Sequence, residues 1–229
     1  KQNTLELRIK DGYEFFTDFE GSFTLNASIG NLKIQNSGGG GSISQDTSNI
    51  GRDLIRLINQ TTSTSIISVF SGKSIIKDLT YVFETTHYPA NLSNGVDNFV
   101  LIAGLTDNNF SSTNANVGIF FMYDKFANSN IGIASDNYLC VCKNGASITV
   151  VDSGIPFAIN TLRKLRIQKN NTDTEVKFFI DNVLKATITT NITISDTIVK
   201  LISEKKLGTG TINNYFDYLY YKATGKNRI

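Results

Sequence analysis

The chain has 229 residues, 40% of them hydrophobic and 18% charged, with 22 basic against 20 acidic residues. That apolar share is enough for a core and excludes a disordered chain, while a net charge of +2 gives no field that would recruit nucleic acid or an anionic membrane. No stretch approaches the roughly 18 consecutive apolar residues of a spanning helix, and Lys1-Gln2-Asn3-Thr4 lacks the apolar core of a secretion signal.

Leu5 to Ile9 and Phe15 to Phe19 read as opening strands, with Asn31 to Gln35 next. Gly38-Gly39-Gly40-Gly41 follows. A tetraglycine is either a hairpin tip or bulge inside one domain or a boundary after an N-terminal piece, and strand pattern close on both sides favours the first. Arg52 to Ile58 fits helical spacing, but Thr61-Thr62-Ser63-Thr64 follows at once, so a strand before a polar loop is the better reading. Ile66 to Phe70, Leu79 to Thr85, Phe99 to Leu105 and Val117 to Tyr123 continue the series. Phe99-Val100-Leu101-Ile102-Ala103 and Ile119-Phe120-Phe121-Met122-Tyr123 are apolar at every position, which predicts strands in mid-sheet with a covered outer face.

Tyr138 to Cys142 and Ile148 to Val151 come next. Cys140 and Cys142, the only two cysteines, would share one strand face with parallel side chains. That geometry strains a disulfide and predicts two buried thiols, as suits a reducing cytosol. After Leu165 to Gln168, Val176, Phe178 and Ile180 alternate with Lys177 and Phe179, and Leu184, Ala186 and Ile188 alternate with Lys185, Thr187 and Thr189. Asp181-Asn182 separates the two runs, and both residue types tolerate the positive φ of a primed turn, so this is a hairpin. Ile198 to Ser203 and Ile212 to Tyr221 close the series. About fourteen strands with frequent turns, and no amphipathic helix, predict one all-β domain over residues 1–229, a two-sheet antiparallel sandwich.

Catalytic patterns are scarce. None of Glu6, Glu14, Glu20, Glu84, Glu175 and Glu204 belongs to a Glu-x-Asp-x-x-Glu run, the pattern that sets alternate carboxylates on one strand face for glycan cleavage. A lyase would use a His/Tyr pair, but His87, the single histidine, and Tyr88 are adjacent and would point to opposite strand faces, and His87 reads as a strand-end or loop residue rather than a catalytic base. Gly-x-Ser-x-Gly, Walker and His-Glu-x-x-His patterns are missing. The expectation is a protein that is not an enzyme. Two groups offer binding chemistry. Asp107-Asn108-Asn109, with Asp97-Asn98 close in sequence, supplies oxygen donors of the kind Ca²⁺ takes, although such clusters are mostly solvated turns and no metal site is assigned. Tyr218, Tyr220 and Tyr221 belong to an aromatic strand able to stack on a sugar ring. Strict alternation there would put Phe216, Tyr218 and Tyr220 on one face and Asp217, Leu219 and Tyr221 on the other. The ligand-binding candidates are therefore Tyr218, Tyr220, Tyr221, Asp107 and Asn108. The chain has no Trp, the usual sugar platform.

Four segments resemble one family. They are Ile50-Gly51-Arg52-Asp53-Leu54-Ile55-Arg56-Leu57, Asn116 to Asp124, the hairpin Val176 to Asn191, and Phe216-Asp217-Tyr218-Leu219-Tyr220-Tyr221 with Arg228 beyond. Together they resemble the concanavalin-like jelly roll of bacteriophage structural proteins, found in tail appendages, head fibres and minor virion components. The resemblance covers residues 50–229 and, more faintly, 12–49. Asn182 stands where the family usually has Gly, and Thr193 where it often has Pro. The resemblance implies a non-enzymatic virion module assembled in the host cytoplasm. Its implied partners are other virion proteins and further copies of itself, as a homotrimer, with host-surface glycan as a ligand. The alternative on the same fold is a secreted lectin or a glycan-degrading enzyme.

Overall fold

The computed structural model describes residues 12–18, 28–29, 32–37, 41–46, 54–60, 65–71, 79–107, 113–193 and 195–224, all in strands, turns and loops. The strands are β1 (Gly12–Asp18), β2 (Ser28–Ile29), β3 (Leu32–Ser37), β4 (Gly41–Asp46), β5 (Leu54–Asn59), β6 (Ile66–Ser71), β7 (Thr80–Pro89) and β8 (Asn98–Thr106). They continue with β9 (Val117–Asp124), β10 (Ser135–Asn144), β11 (Ser147–Pro156), β12 (Arg163–Lys169), β13 (Val176–Ile180), β14 (Val183–Ile188), β15 (Ile198–Leu207) and β16 (Ile212–Thr224). The expected Leu5–Ile9 strand lies outside the described residues.

Two antiparallel sheets form a sandwich. The first runs β14-β13-β12-β7-β16-β5-β4, with β1 pairing the second half of β16 on the side where β5 pairs the first half. The second runs β11-β10-β9-β8-β15-β6-β3-β2. β3 and β4 thus belong to different sheets, and Gly41 opens β4, while Gly38 to Gly40 of the tetraglycine lie outside the described residues. The core between the sheets takes alternate residues from both, among them Phe83, Leu165, Ile167, Phe178, Leu219 and Tyr221 facing Leu101, Phe121, Tyr123, Cys140, Cys142 and Leu201. Both cysteines are buried and unbridged, as their spacing predicted. Burial pushes both thiols well above their ordinary range.

The Asp181-Asn182 hairpin forms as expected, with φ of 53° and 65° at its two turn residues. Two bulges alter what alternation predicted. In β14, Phe178 opposes Ala186 but Phe179 opposes Leu184, so Lys185 is the extra residue and Leu184 turns outward, 48% exposed. In β16, the register against β7 shifts between Phe216 and Leu219. Phe216, Leu219 and Tyr221 consequently all face the core, while Tyr218 and Tyr220 face out. The Thr85 hydroxyl pins this bulge by donating to the Tyr218 carbonyl oxygen at 2.5 Å.

Short connections gather at the two ends of the sandwich. One end carries the loops 90–97, 125–134 and 157–162, the hairpin turn and the loop after Leu207. Every exposed large hydrophobic among the described residues is there: Leu92, Val96, Phe126, Ile133, Ile159, Val183, Leu184 and Leu207. The opposite end is built of polar turns such as Asn144-Gly145 and Asn170 to Glu175.

The outer face of the second sheet is covered, as its doubly apolar strands required. Val100, Ile102, Phe120, Met122, Leu139, Val141 and Ile202 form a second apolar cluster there, capped by Ala115 and Ile131. Residues 113–116, which lead into β9, lie back over that strand's own sheet as a flap. Thr113 donates to Glu204 Oε2 through its backbone N at 2.7 Å and its hydroxyl at 2.5 Å. Asn130 ties the next loop to the flap, donating through its backbone N to Asn114 Oδ1 and through Nδ2 to the Ala115 carbonyl, both at 3.0 Å. Asp124 shapes that loop by accepting from the backbone N of Asn128 and Ser129 at 2.9 and 2.7 Å.

Candidate functional site

Among the described residues nothing covers the outer face of the first sheet in this way, in keeping with the alternation of its strands. One rung crosses five strands there: Leu184, Phe179, Arg166, Glu84 and Tyr220 are successive cross-strand partners. Side chains on one rung of one face are in reach of each other. The Arg166 guanidinium lies over the Phe179 ring, 5.5 Å from its centre. Tyr218, displaced by the bulge, donates its phenol to Glu84 Oε1 at 2.6 Å, and Lys164 Nζ stands 3.0 Å from the same oxygen. Burial, followed by the Glu84 hydrogen bond and charge, raises the Tyr218 phenol, so it stays a donor at neutral pH.

The sequence candidates separate on this framework. Tyr218 and Tyr220 are half-exposed on the rung. Tyr221 is not with them: it is 0% exposed in the core, its ring 6.0 Å from that of Tyr81. Asp107 lies on the other sheet at the polar end, and Asn108 lies outside the described residues. Asp107 Oδ2 accepts from the backbone N of Asn116 at 2.9 Å. Its nearby cations are lysines. Burial pushes the Lys200 ammonium down to about 8 against the opposing charges of Asp107 and Glu204, and Asp107 likewise opposes the lowering of Lys143 by burial. Asp97 does not join Asp107. The whole of β8 separates them, roughly 30 Å at ~3.3 Å per residue. Asp97 Oδ1 instead accepts from the backbone N of Gly210 at 2.6 Å, with Lys205 Nζ 3.7 Å away. Among the described residues no group of three His, Cys, Asp or Glu side chains could hold a metal.

His87 corrects the strand-end or loop reading. It lies inside β7, 0% exposed, with its ring 4.8 Å from Phe216 and 5.1 Å from Phe157 between centres. Alternation with Tyr81, Phe83 and Thr85 was the signal that could have placed it inward.

No family model matches the chain, and no curated protein matches it. Solved structures do. A protein of unknown function from Shewanella oneidensis MR-1 superposes with a TM-score of 0.65 at 13% identity, covering 100% of this chain and 93% of that one. An endo-1,3-beta-glucanase from Streptomyces sioyaensis reaches 0.65 at 11% identity over 97% and 100% of the two chains. Lectin II from Ulex europaeus reaches 0.60 at 15% identity over 94% and 100%. At such identities the likeness is one of fold: the chain is a concanavalin-like jelly roll. This agrees with the fold implied by the sequence resemblance and does not extend to its virion part.

Proposed function

We propose that the chain is a non-catalytic, carbohydrate-binding jelly roll serving as a structural module of a virus particle. The observation that carries the binding part is the open rung. Phe179, Tyr218 and Tyr220 offer aromatic surface for the apolar face of a sugar ring, and Arg166 and Glu84 offer a donor and an acceptor for its hydroxyls. From Tyr220 to Phe179 the strip spans about 14 Å at ~4.8 Å per strand. Lectins on the same fold support this reading. The virion part rests on the resemblance of the Val176–Asn191 hairpin and the closing strand.

The non-catalytic part rests on Glu84. Its Oε1 is engaged by Tyr218 and Lys164, and its rung carries no second carboxylate among the described residues. Retaining hydrolysis uses two carboxyls ~5–5.5 Å apart. The glucanase likeness favours a second reading, a glycan-degrading enzyme.

Calorimetric titration with oligosaccharides tests binding. Tyr220→Ala and Arg166→Ala should each weaken it at least tenfold, and chelator should leave it unchanged. Undiminished binding in both variants would remove the rung from the proposal. Release of reducing ends from a polysaccharide, abolished by Glu84→Gln, would establish the second reading. Antibody labelling of intact particles tests the virion role, and light-scattering mass tests the homotrimer.

A further inference from the structure

A hydrogen-bonded chain runs back and forth between the two sheets through the buried core at the loop-bearing end. Asn59 Nδ2 on β5 donates to the backbone carbonyls of Ser65 and Ser203 at 2.8 and 3.0 Å. The Asn59 oxygen therefore accepts from the Ser203 hydroxyl on β15, at 2.5 Å. That hydroxyl in turn accepts from Asn214 Nδ2 on β16 at 3.1 Å. Asn214 Oδ1 then faces His87 Nε2 on β7 at 3.2 Å, so Nε2 carries the proton and donates. Nδ1 is left to accept from the Tyr138 phenol on β10 at 2.8 Å. Fixing the carbonyl end fixes every donor, and the imidazole must be the neutral Nε2–H tautomer. All five side chains are 0% exposed.

We propose that His87 is an acid-operated latch: neutral, it holds the two sheets together at the loop-bearing end, and protonation at Nδ1 releases that end. A protonated ring is a donor at both nitrogens, so Nδ1 and the Tyr138 phenol would meet as two donors. The surroundings offer the new charge little relief. β16 contributes Asn214 and Phe216, both uncharged, and the segment after β11 contributes Phe157. Beyond Phe157, stacked on it at 3.8 Å, is Tyr123 of β9. β12 sets Arg163 opposite His87 in register, and Arg163 is paired with Asp181 at 2.7 Å. Burial accordingly lowers the His87 pKa to about 3, against a small opposing effect of the Asn214 hydrogen bond. Each opening event below the ordinary value of 6.5 takes up one proton, so the open population rises about tenfold per pH unit. What the latch frees is the end where Phe99, Tyr123, Phe157 and Phe216 pack, so opening bares these buried rings beside the apolar loops as an acid-dependent hydrophobic surface.

Because His87 is the only histidine, ¹⁵N spectra of its imidazole in the intact chain report the latch directly. The expected result is the neutral Nε2–H form, persisting below pH 5. Backbone amide exchange, corrected for its intrinsic pH dependence, should rise about tenfold per unit from pH 6 to 4 at the loop-bearing ends of β5, β7, β10, β15 and β16, while the polar-end turns stay protected. His87→Gln should abolish that rise. Should this variant fail to fold, Tyr138→Phe removes one donor and should shift the imidazole titration upward. A ring titrating near 6.5 in the folded chain, the Nδ1–H tautomer, equal exchange at both ends, or a rise that survives His87→Gln would each overturn the latch.

Discussion

On the outer face of the β7 sheet, Phe179, Tyr218 and Tyr220 stay half-exposed among Arg166, Glu84 and Lys164. On the outer face of the β8 sheet, Phe120 and Met122 are 0% exposed and Leu139 is 1% exposed. The difference originates in the strands. β12 and β13 alternate apolar and polar residues, so their sheet meets water on one side and needs no further layer. β8 and β9 are apolar throughout, and the same chain supplies the missing layer as a flap held by Thr113, Asn130 and Glu204. The covered face is also shaped for its aromatic. A side-chain carbon added at Gly104 would lie 2.7 Å from Phe120 Cβ, so glycine leaves the room in which Phe120 packs. An outward-pointing aromatic is therefore a core residue on one sheet and a partly solvent-exposed one on the other.

Substitutions can break or sharpen this contrast. Phe120→Ala should destabilise by ~3–5 kcal/mol in chemical denaturation, the same as Phe178→Ala in the central core, where Phe178 is 0% exposed and packs edge-on to Phe121 at 5.2 Å. A loss at Phe120 well below that at Phe178 would mean that the flap does not bury its face. A pH series comes next. The His87 imidazole is neutral when folded and protonated when unfolded below 6.5, so its contribution is intact above that pH and falls on acidification. Between 6.5 and about 3 it should fall by about 1.4 kcal/mol per pH unit, read as the difference between the parent and His87→Gln. Glu204→Ala, which strips two donors of Thr113 of their acceptor, should cost about 1–3 kcal/mol. On the open face, Phe179→Ala should cost about 1 kcal/mol or less, and Lys177→Ala should stay within about 0.5 kcal/mol, while glycan affinity falls in the first of these and not in the second.

Much of this was legible in the residues. Asp181-Asn182 between two alternating runs named its hairpin. The unbroken apolar runs of β8 and β9 announced a covered face, although nothing in them said that residues 113–116 and 129–131 would cover it. What failed was strict alternation. A single extra residue flips every side chain beyond it, and neither Lys185 nor the Asp217-Tyr218 step carries the Gly or Pro that would flag a bulge. That slip moved Phe216 inward and left Tyr221, not Tyr220, in the core. His87 was misplaced for a different reason. A buried histidine is acceptable only when distant partners satisfy both nitrogens, and Tyr138 and Asn214 are 51 and 127 residues away.

Both sheets are closed by the last two strands. β15 slots between β8 and β6, and β16 between β7 and the β5/β1 pair. During synthesis, β8 and β6 must therefore wait with unpaired edges for residues 198–207, and β7 and β5 for residues 212–224, so no chain ending before β16 can complete the first layer. Such a topology folds late and all at once, and a truncation before β16 would expose sticky edges and yield aggregate rather than a smaller sandwich.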